Sequence, residues 1–280
     1  MKTARNRLDL LVWLPLVLFL LSFSGGEQEL SHDSCSIQNR SFTAGESIVY
    51  KVYYNFNFIW IPAGEVEFAV RDEGSSYHLS AYGKTYGSYD WFFKVRDYYD
   101  TYIDKGTLLP TLSIRDVQEG KYTLYDKVTF DQGKHTAYGI RGRAVDRIKE
   151  QNHFEVQECM HDILSILYYA RNIEYNHLPA GATVPIKIFM DKEVWPLQVA
   201  YKGKEVNKRI KGLGRFNTIL FSPEVITGEY FNEGTEMNVW VSDDANRIPL
   251  LIESPVSVGS IKAVLKEYKG LRHPLSSALD

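Results

Sequence analysis

Carboxylates and aromatic rings alternate in one stretch of the chain, where Asp90, Asp97, Asp100 and Asp104 are interleaved with Trp91, Phe92, Phe93, Tyr98, Tyr99 and Tyr102. Glycoside hydrolysis uses such a set: rings stack on sugar faces while two acids divide the general-acid and nucleophile roles. The same letters describe a strand with one aromatic and one solvated face, Lys94 and Arg96 supplying local counter-charges, and that reading is the plainer one. Cys159-Met160-His161-Asp162 sets thiol, imidazole and carboxylate side by side. Neighbours at a helix start do not face one another, so Asp162 is better used as an N-cap than as the partner of His161. Asp243-Asp244-Ala245-Asn246 has calcium-loop letters without the glycine and closing glutamate of an EF-hand, and suits a hairpin turn. The seven histidines are scattered, none at metal-ligand spacing from another. No G-x-S-x-G, H-E-x-x-H, G-x-x-x-x-G-K or C-x-x-C motif occurs. The sequence therefore predicts no catalytic residue, no metal and no cofactor.

What remains is an excess of large apolar side chains. Phe56, Phe58, Ile59, Trp60 and Ile61 form one cluster, ending at Pro62-Ala63-Gly64, and Trp91-Phe92-Phe93 another. An incompletely filled β-barrel lined this way holds an apolar ligand such as a lipid or acyl chain; a well-filled core is the alternative. The candidate ligand-binding residues are Phe58, Trp60, Trp91, Phe92, Phe93, Leu167 and Trp240.

The elements that must position them read as strands. Alternation is clear in Glu65 to Val70, Met237 to Ser242 and Ile261 to Leu265, each placing apolar side chains on one face. Further strands are predicted at Ile48–Tyr54, Tyr77–Tyr82, Tyr98–Ile103, Ser113–Val117, Tyr122–Phe130, Thr136–Arg141, Val184–Met190, Leu197–Tyr201, Asn207–Lys211, Phe216–Phe221 and Pro249–Ser254. Turn residues separate them, among them Asp72 to Ser75, Glu119-Gly120 and Lys202-Gly203. Roughly fourteen strands are too many for a small sandwich without curling. From Asp162 to Asn172, Ile163, Ile166, Leu167 and Ala170 follow helical spacing. The expected fold is mainly β: a single large curved antiparallel sheet or half-open barrel wrapped around one buried helix.

Lys2, Arg5 and Arg7 precede an uncharged run, Leu10 to Leu21, and then small residues Ser22, Ser24, Gly25 and Gly26. That is the layout of a cleavable signal peptide over residues 1–26, leaving one β-rich domain over 27–280 with no second long apolar run. The net charge is −3 for the whole chain, both signs interspersed, which gives no footprint for nucleic acid. Export places Cys35 and Cys159 where disulfides persist. A disulfide is expected; two buried free thiols, or a nucleophile at Cys159 beside His161, are the alternatives.

Gly45-Glu46 followed by Tyr50, Tyr53 and Ala63-Gly64, then Trp240 to Asp244 with Arg247-Ile248-Pro249, and finally Gly259-Ser260-Ile261 with Leu265, resemble the pattern of the exported bacterial family called domain of unknown function 3108. Glu158 to Asp162 around Cys159 looks like the branch found in Bacteroidetes. The resemblance implies a mostly β fold and a Gram-negative envelope location, and it brings no catalytic residue. A looser similarity to half-open barrels of periplasmic lipoprotein carriers favours lipid binding, although those carriers begin with a helix that is not predicted here. The leading expectation is a periplasmic, non-enzymatic protein that binds a hydrophobic ligand or an envelope protein partner. A carbohydrate-active enzyme using the Asp90 to Asp104 cluster, and a scaffold of an envelope complex, are the alternatives.

Overall fold

The computed structural model describes residues 35–56, 59–91, 93–225, 235–256 and 259–279. The signal peptide expected over residues 1–26, and Phe58 and Phe92, lie outside the described residues. The first half of the chain forms β1 (Ser47–Phe56), β2 (Ile59–Glu73), β3 (Ser76–Thr85), β4 (Val95–Asp104), β5 (Pro110–Glu119), β6 (Tyr122–Asp131), β7 (Thr136–Gly142) and β8 (Ile148–Glu155). After the helix α1 (Ile163–Ala170) come β9 (Thr183–Met190), β10 (Glu193–Ile210), β11 (Gly214–Pro223), β12 (Asn238–Ser242), β13 (Pro249–Pro255), β14 (Ser260–Lys269) and the short β15 (Ala278–Leu279).

All belong to one antiparallel sheet in the order β8-β7-β6-β5-β4-β3-β2-β1-β14-β13-β12-β11-β10-β9, with β15 added on β11. Two meanders run outward from the β1–β14 pairing, where Ser47 lies opposite Lys269 and Asn55 opposite Ser260. The two edges, β8 and β9, are consecutive in sequence and are not hydrogen-bonded to each other. The sheet curls until they face: Phe154 of β8 and Phe189 of β9 pack with ring centroids 5.1 Å apart, and Lys192 reaches Glu150 at 3.0 Å. The predicted half-open barrel is this curled, unclosed sheet.

Period-two burial shows why these segments are strands. In β6, Leu124, Asp126, Val128 and Phe130 are buried in alternation with more exposed neighbours. Gly64 lies where β2 approaches β3 so closely that a Cβ would strike the carbonyl oxygen of Lys84, which explains a glycine inside a long strand. The structure departs from expectation at three strands, one of them the short β15, which no predicted segment covers. β8 has no counterpart in the prediction because nearly all its side chains are exposed, as suits a sheet edge. The two strands predicted on either side of Lys202-Gly203 are one strand, β10, and the expected turn is a bulge at which Gly203 takes φ 114°.

The helix begins where the sequence places it. Asp162 is its N-cap and accepts from Ser165 N, while the Ser165 hydroxyl accepts from Asp162 N, closing a capping box. Leu164 and Tyr168 bury against Phe42, Leu79, Ile103 and Leu108 on the inner face of β2 to β4 and the adjoining loops. The wrapping is one-sided, since Leu167 is 49% exposed. Cys35 and Cys159 are disulfide-bonded across 124 residues, which fixes the start of the described chain beside the helix entry.

Candidate functional site

Pairing in the sheet decides what the acidic and aromatic stretch can do. β4 alternates, so Asp97, Tyr99 and Thr101 share one face and Tyr98, Asp100 and Tyr102 the other. Asp97 and Asp100 therefore cannot flank one substrate. On the outer face Asp100 takes a 2.6 Å bond from His78 Nε2, and Tyr102 stacks on that imidazole at 4.6 Å. Asp90 is clamped by Arg96 at 2.5 Å and accepts from the Thr85 hydroxyl at 2.7 Å. Asp104 caps the β4–β5 turn, accepting from Gly106 N and Thr107 N at 2.9 Å each. Three of the four aspartates are thus turn or strand fixtures. Asp97 alone points inward, where burial and the nearby Glu119 of β5 push its pKa up to about 7. Sequence reasoning passed over Glu119 because it becomes a neighbour only once β4 and β5 pair.

The thiol-imidazole-carboxylate run is also structural. Cys159 is spent in the disulfide. His161 is buried against Ser165 Oγ at 3.0 Å, and desolvation pushes its pKa down to about 3, so the ring is neutral. Asp162 accepts from Thr101 Oγ1 at 2.5 Å and Ser113 Oγ at 2.8 Å, which tie the helix cap to β4 and β5. The Asp243 to Asn246 segment is the expected hairpin turn: Asp244 Oδ1 accepts from the Ser242 hydroxyl and from Asn246 N. Among the described residues no group of acidic, histidine or cysteine side chains could hold a metal ion.

The apolar candidates separate into three places. Trp60 opens β2, and Trp91 and Phe93 stand in the β3–β4 connection, which meets the same end of the sheet because Tyr86 N bonds to Ala63 O at 3.0 Å. Ile59 is 65% exposed, Trp60 37%, Trp91 84% and Phe93 47%, so these side chains present a surface. Phe93 leans over Gly120 in the β5–β6 turn, where a Cβ would approach its ring to 3.1 Å. Tyr82 of β3 and Tyr98 of β4 stack at 4.4 Å, and Tyr122 is 51% exposed. Lysines interleave: Lys262 Nζ lies 4.0 Å from the Trp60 ring centroid and Lys84 Nζ 5.6 Å from that of Tyr82. Leu167 is apart from this end, on the free face of α1. Trp240 is buried in the core with Ile248, Leu250 and Leu265, its Nε1 donating to Glu205 at 3.1 Å.

Two small voids, lined in part by Asp126, Val128 and Phe189, hold about 10 Å³ each, which is the size of a water. Above them Arg115 pairs with Asp126, and Asp191 from the β9–β10 turn takes a bond from Arg115 at 2.8 Å and forms an ion pair with Arg141 at 3.0 Å.

A solved structure of similar fold is the β-barrel-like protein of domain of unknown function DUF1849 from Brucella abortus, 8% identical, with a TM-score of 0.55 over 82% of this chain and 98% of that one. A putative exported protein with a YmcC-like fold from Bacteroides fragilis aligns over 84% of this chain and 100% of that one at 10% identity, with a TM-score of 0.28. No curated protein matches the sequence. Residues 49–266, from β1 to β14, match the family described as "Protein of unknown function (DUF3108)", and the chain belongs to that family.

Proposed function

We propose that this is a non-enzymatic protein of the cell envelope, exported to the periplasm, that holds a hydrophobic ligand of the lipid or acyl-chain class at the aromatic end of its sheet. The observation that carries the reading is the concentration of exposed Ile59, Trp60, Trp91 and Phe93 at that one end. Isolated exposed apolar residues are ordinary, whereas several large ones together mark a binding surface. The two voids lined by Asp126, Val128 and Phe189 are water-sized, and the exposed rings offer an acyl chain a place across the end of the sheet. Lysine ammonium groups over the rings suit an anionic head beside an apolar tail. The disulfide supports an oxidising compartment, and with it the signal-peptide reading of residues 1–26.

Purification from the envelope fraction, lipid extraction and mass spectrometry test the proposal directly. The expected result is a co-purifying acyl species near stoichiometry, and binding of a fluorescent fatty acid that Trp60→Ala with Trp91→Ala weakens by about tenfold or more. An empty protein that also ignores acyl probes would sink the reading.

A further inference from the structure

At the opposite end of the sheet, where β1 starts and β14 ends, four separate segments converge on an open cleft of about 370 Å³. Its walls carry Arg40 from the segment before β1, Asn172 and Glu174 from beyond α1, Arg247 from the β12–β13 turn, and Arg272 and His273 from the loop after β14. Three guanidinium groups face one carboxylate there, and Glu174 is already shared with Arg247 at 3.5 Å.

The walls are fixed by buried polar bonds before any ligand arrives. Asn172 Oδ1 accepts from Arg40 N at 2.7 Å and Ser41 N at 3.1 Å. Asn246 Oδ1 accepts from His273 N at 2.9 Å, and its amide donates to the carbonyls of His273 and Pro274. His273 Nε2 donates to Arg40 O at 2.7 Å, linking the first and last walls. Beneath them Arg171, 7% exposed, holds Glu46 with two bonds of 2.6 and 2.9 Å and donates to Asn246 O and Ser41 O. Arg247 keeps a left-handed backbone, φ 49°, to reach in from its turn.

The arginines are not exhausted by this scaffolding. Arg272 uses Nη1 on the carbonyls of Asn39 and Phe42, and Arg40 uses Nε and Nη2 on Gln38. Nε and Nη2 of Arg272 and Nη1 of Arg40 make no such bond among the described residues, and both side chains belong to exposed residues. Guanidinium forks match the oxygens of phosphoryl and carboxylate groups, and a surplus of two positive charges matches a dianion better than a single carboxylate.

We propose that this cleft is a binding site for a dianionic phosphoryl group, carried by a soluble phosphomonoester or by the headgroup of a phosphatidate-type lipid, with Arg40 and Arg272 as its principal donors. The site lies at the other end of the molecule from the aromatic surface, so neither proposal depends on the other.

The test is titration of the exported chain, followed calorimetrically, with glycerol phosphate, inorganic phosphate and acetate, alongside co-sedimentation with phosphatidylcholine vesicles with and without phosphatidic acid. Saturable binding of the phosphoryl probes, acetate remaining silent, is the expected result. Binding by the soluble esters assigns a soluble source, and binding only by phosphatidate vesicles assigns the lipid. Arg272→Ala and Arg40→Ala should each weaken it about tenfold or more, Arg272→Lys less, and Lys149→Ala on the exposed β8 not at all. Among the described residues the Arg40 side chain hydrogen-bonds to the exposed Gln38 alone, so Arg40→Ala remains informative if Arg272→Ala fails to fold. No saturable phosphoryl binding, equal binding of acetate, or affinity unmoved by the Arg40 and Arg272 variants would overturn the proposal.

Discussion

The Asp97 carboxyl has its pKa raised to about 7 from an ordinary 3.8, chiefly by burial and then by Glu119, so the folded chain prefers it protonated. Its contribution to stability is complete below about pH 4 and is lost as pH rises towards 7. His161 acts in the opposite sense: its pKa falls from 6.5 to about 3 by burial, so its contribution is complete above about pH 6.5 and is lost as pH falls. Asp97→Asn should therefore raise stability near pH 8 by about 1–2 kcal/mol, a discounted figure for a partly exposed group, and change little near pH 4. His161→Gln should instead flatten the acid limb. Chemical denaturation across pH checks both, and an Asp97→Asn gain that is equal at all pH values would refute the assignment. Arg171 carries a larger load, because Glu46 beneath it has no exposed side-chain surface. Arg171→Met leaves that carboxylate buried and alone and strips the donors from Asn246 O and Ser41 O. A loss of about 3–5 kcal/mol is expected in urea melts.

Among the elements, those with a wet face and a dry face were legible in the sequence, and those without were not. β2, β12 and β14 announce themselves by alternation, and α1 by its spacing and its Asp162 cap. β8 carries Lys149, Glu150, Gln151, Asn152 and His153 in a row, and no apolar period exists for a strand whose outer neighbour is missing. β10 reads as two strands because Lys202-Gly203 looks like a turn, yet Gly203, like Asn207 further along, takes a positive φ at a bulge within one strand. The helix is only eight residues long, too short to persist without help, so its cap should matter more than caps usually do. Asp162→Ala removes the bond to Ser165 N and orphans the hydroxyls of Thr101 and Ser113 in a buried place. The expected cost is about 2–3 kcal/mol, and Asp162→Asn, which retains an accepting oxygen, should recover part of it. Thermal melts of the two variants decide the matter.

At the scale of the whole molecule, the two candidate surfaces differ in how far the sequence could show them. Trp60, Trp91 and Phe93 stand out as apolar excess in sequence, and pairing of neighbouring hairpins brings them together at one end. Arg40, Arg247 and Arg272 are ordinary charges until strand order carries residues from both termini to one cleft, so no local pattern could reveal them. The same long-range closure sets the molecule's weakest line. Between β8 and β9 the sheet lacks backbone bonds, and the gap is held by Phe154 on Phe189 and by the charges gathered on Asp191. Near it the link before α1 pairs with β9, through His161 and Ile188. Amides of β8 and β9 should exchange faster than those of β1 and β14, which are bonded on both sides. Asp191→Asn keeps a residue tolerant of the turn's positive φ, 54°, while releasing Arg115 and Arg141. It should cost about 1–2 kcal/mol and speed exchange at β8 and β9 selectively, leaving the β1–β14 pairing protected. Uniform acceleration across the sheet would mean that side chains at the seam do not hold the edges together, and that the curl is set by strand twist alone.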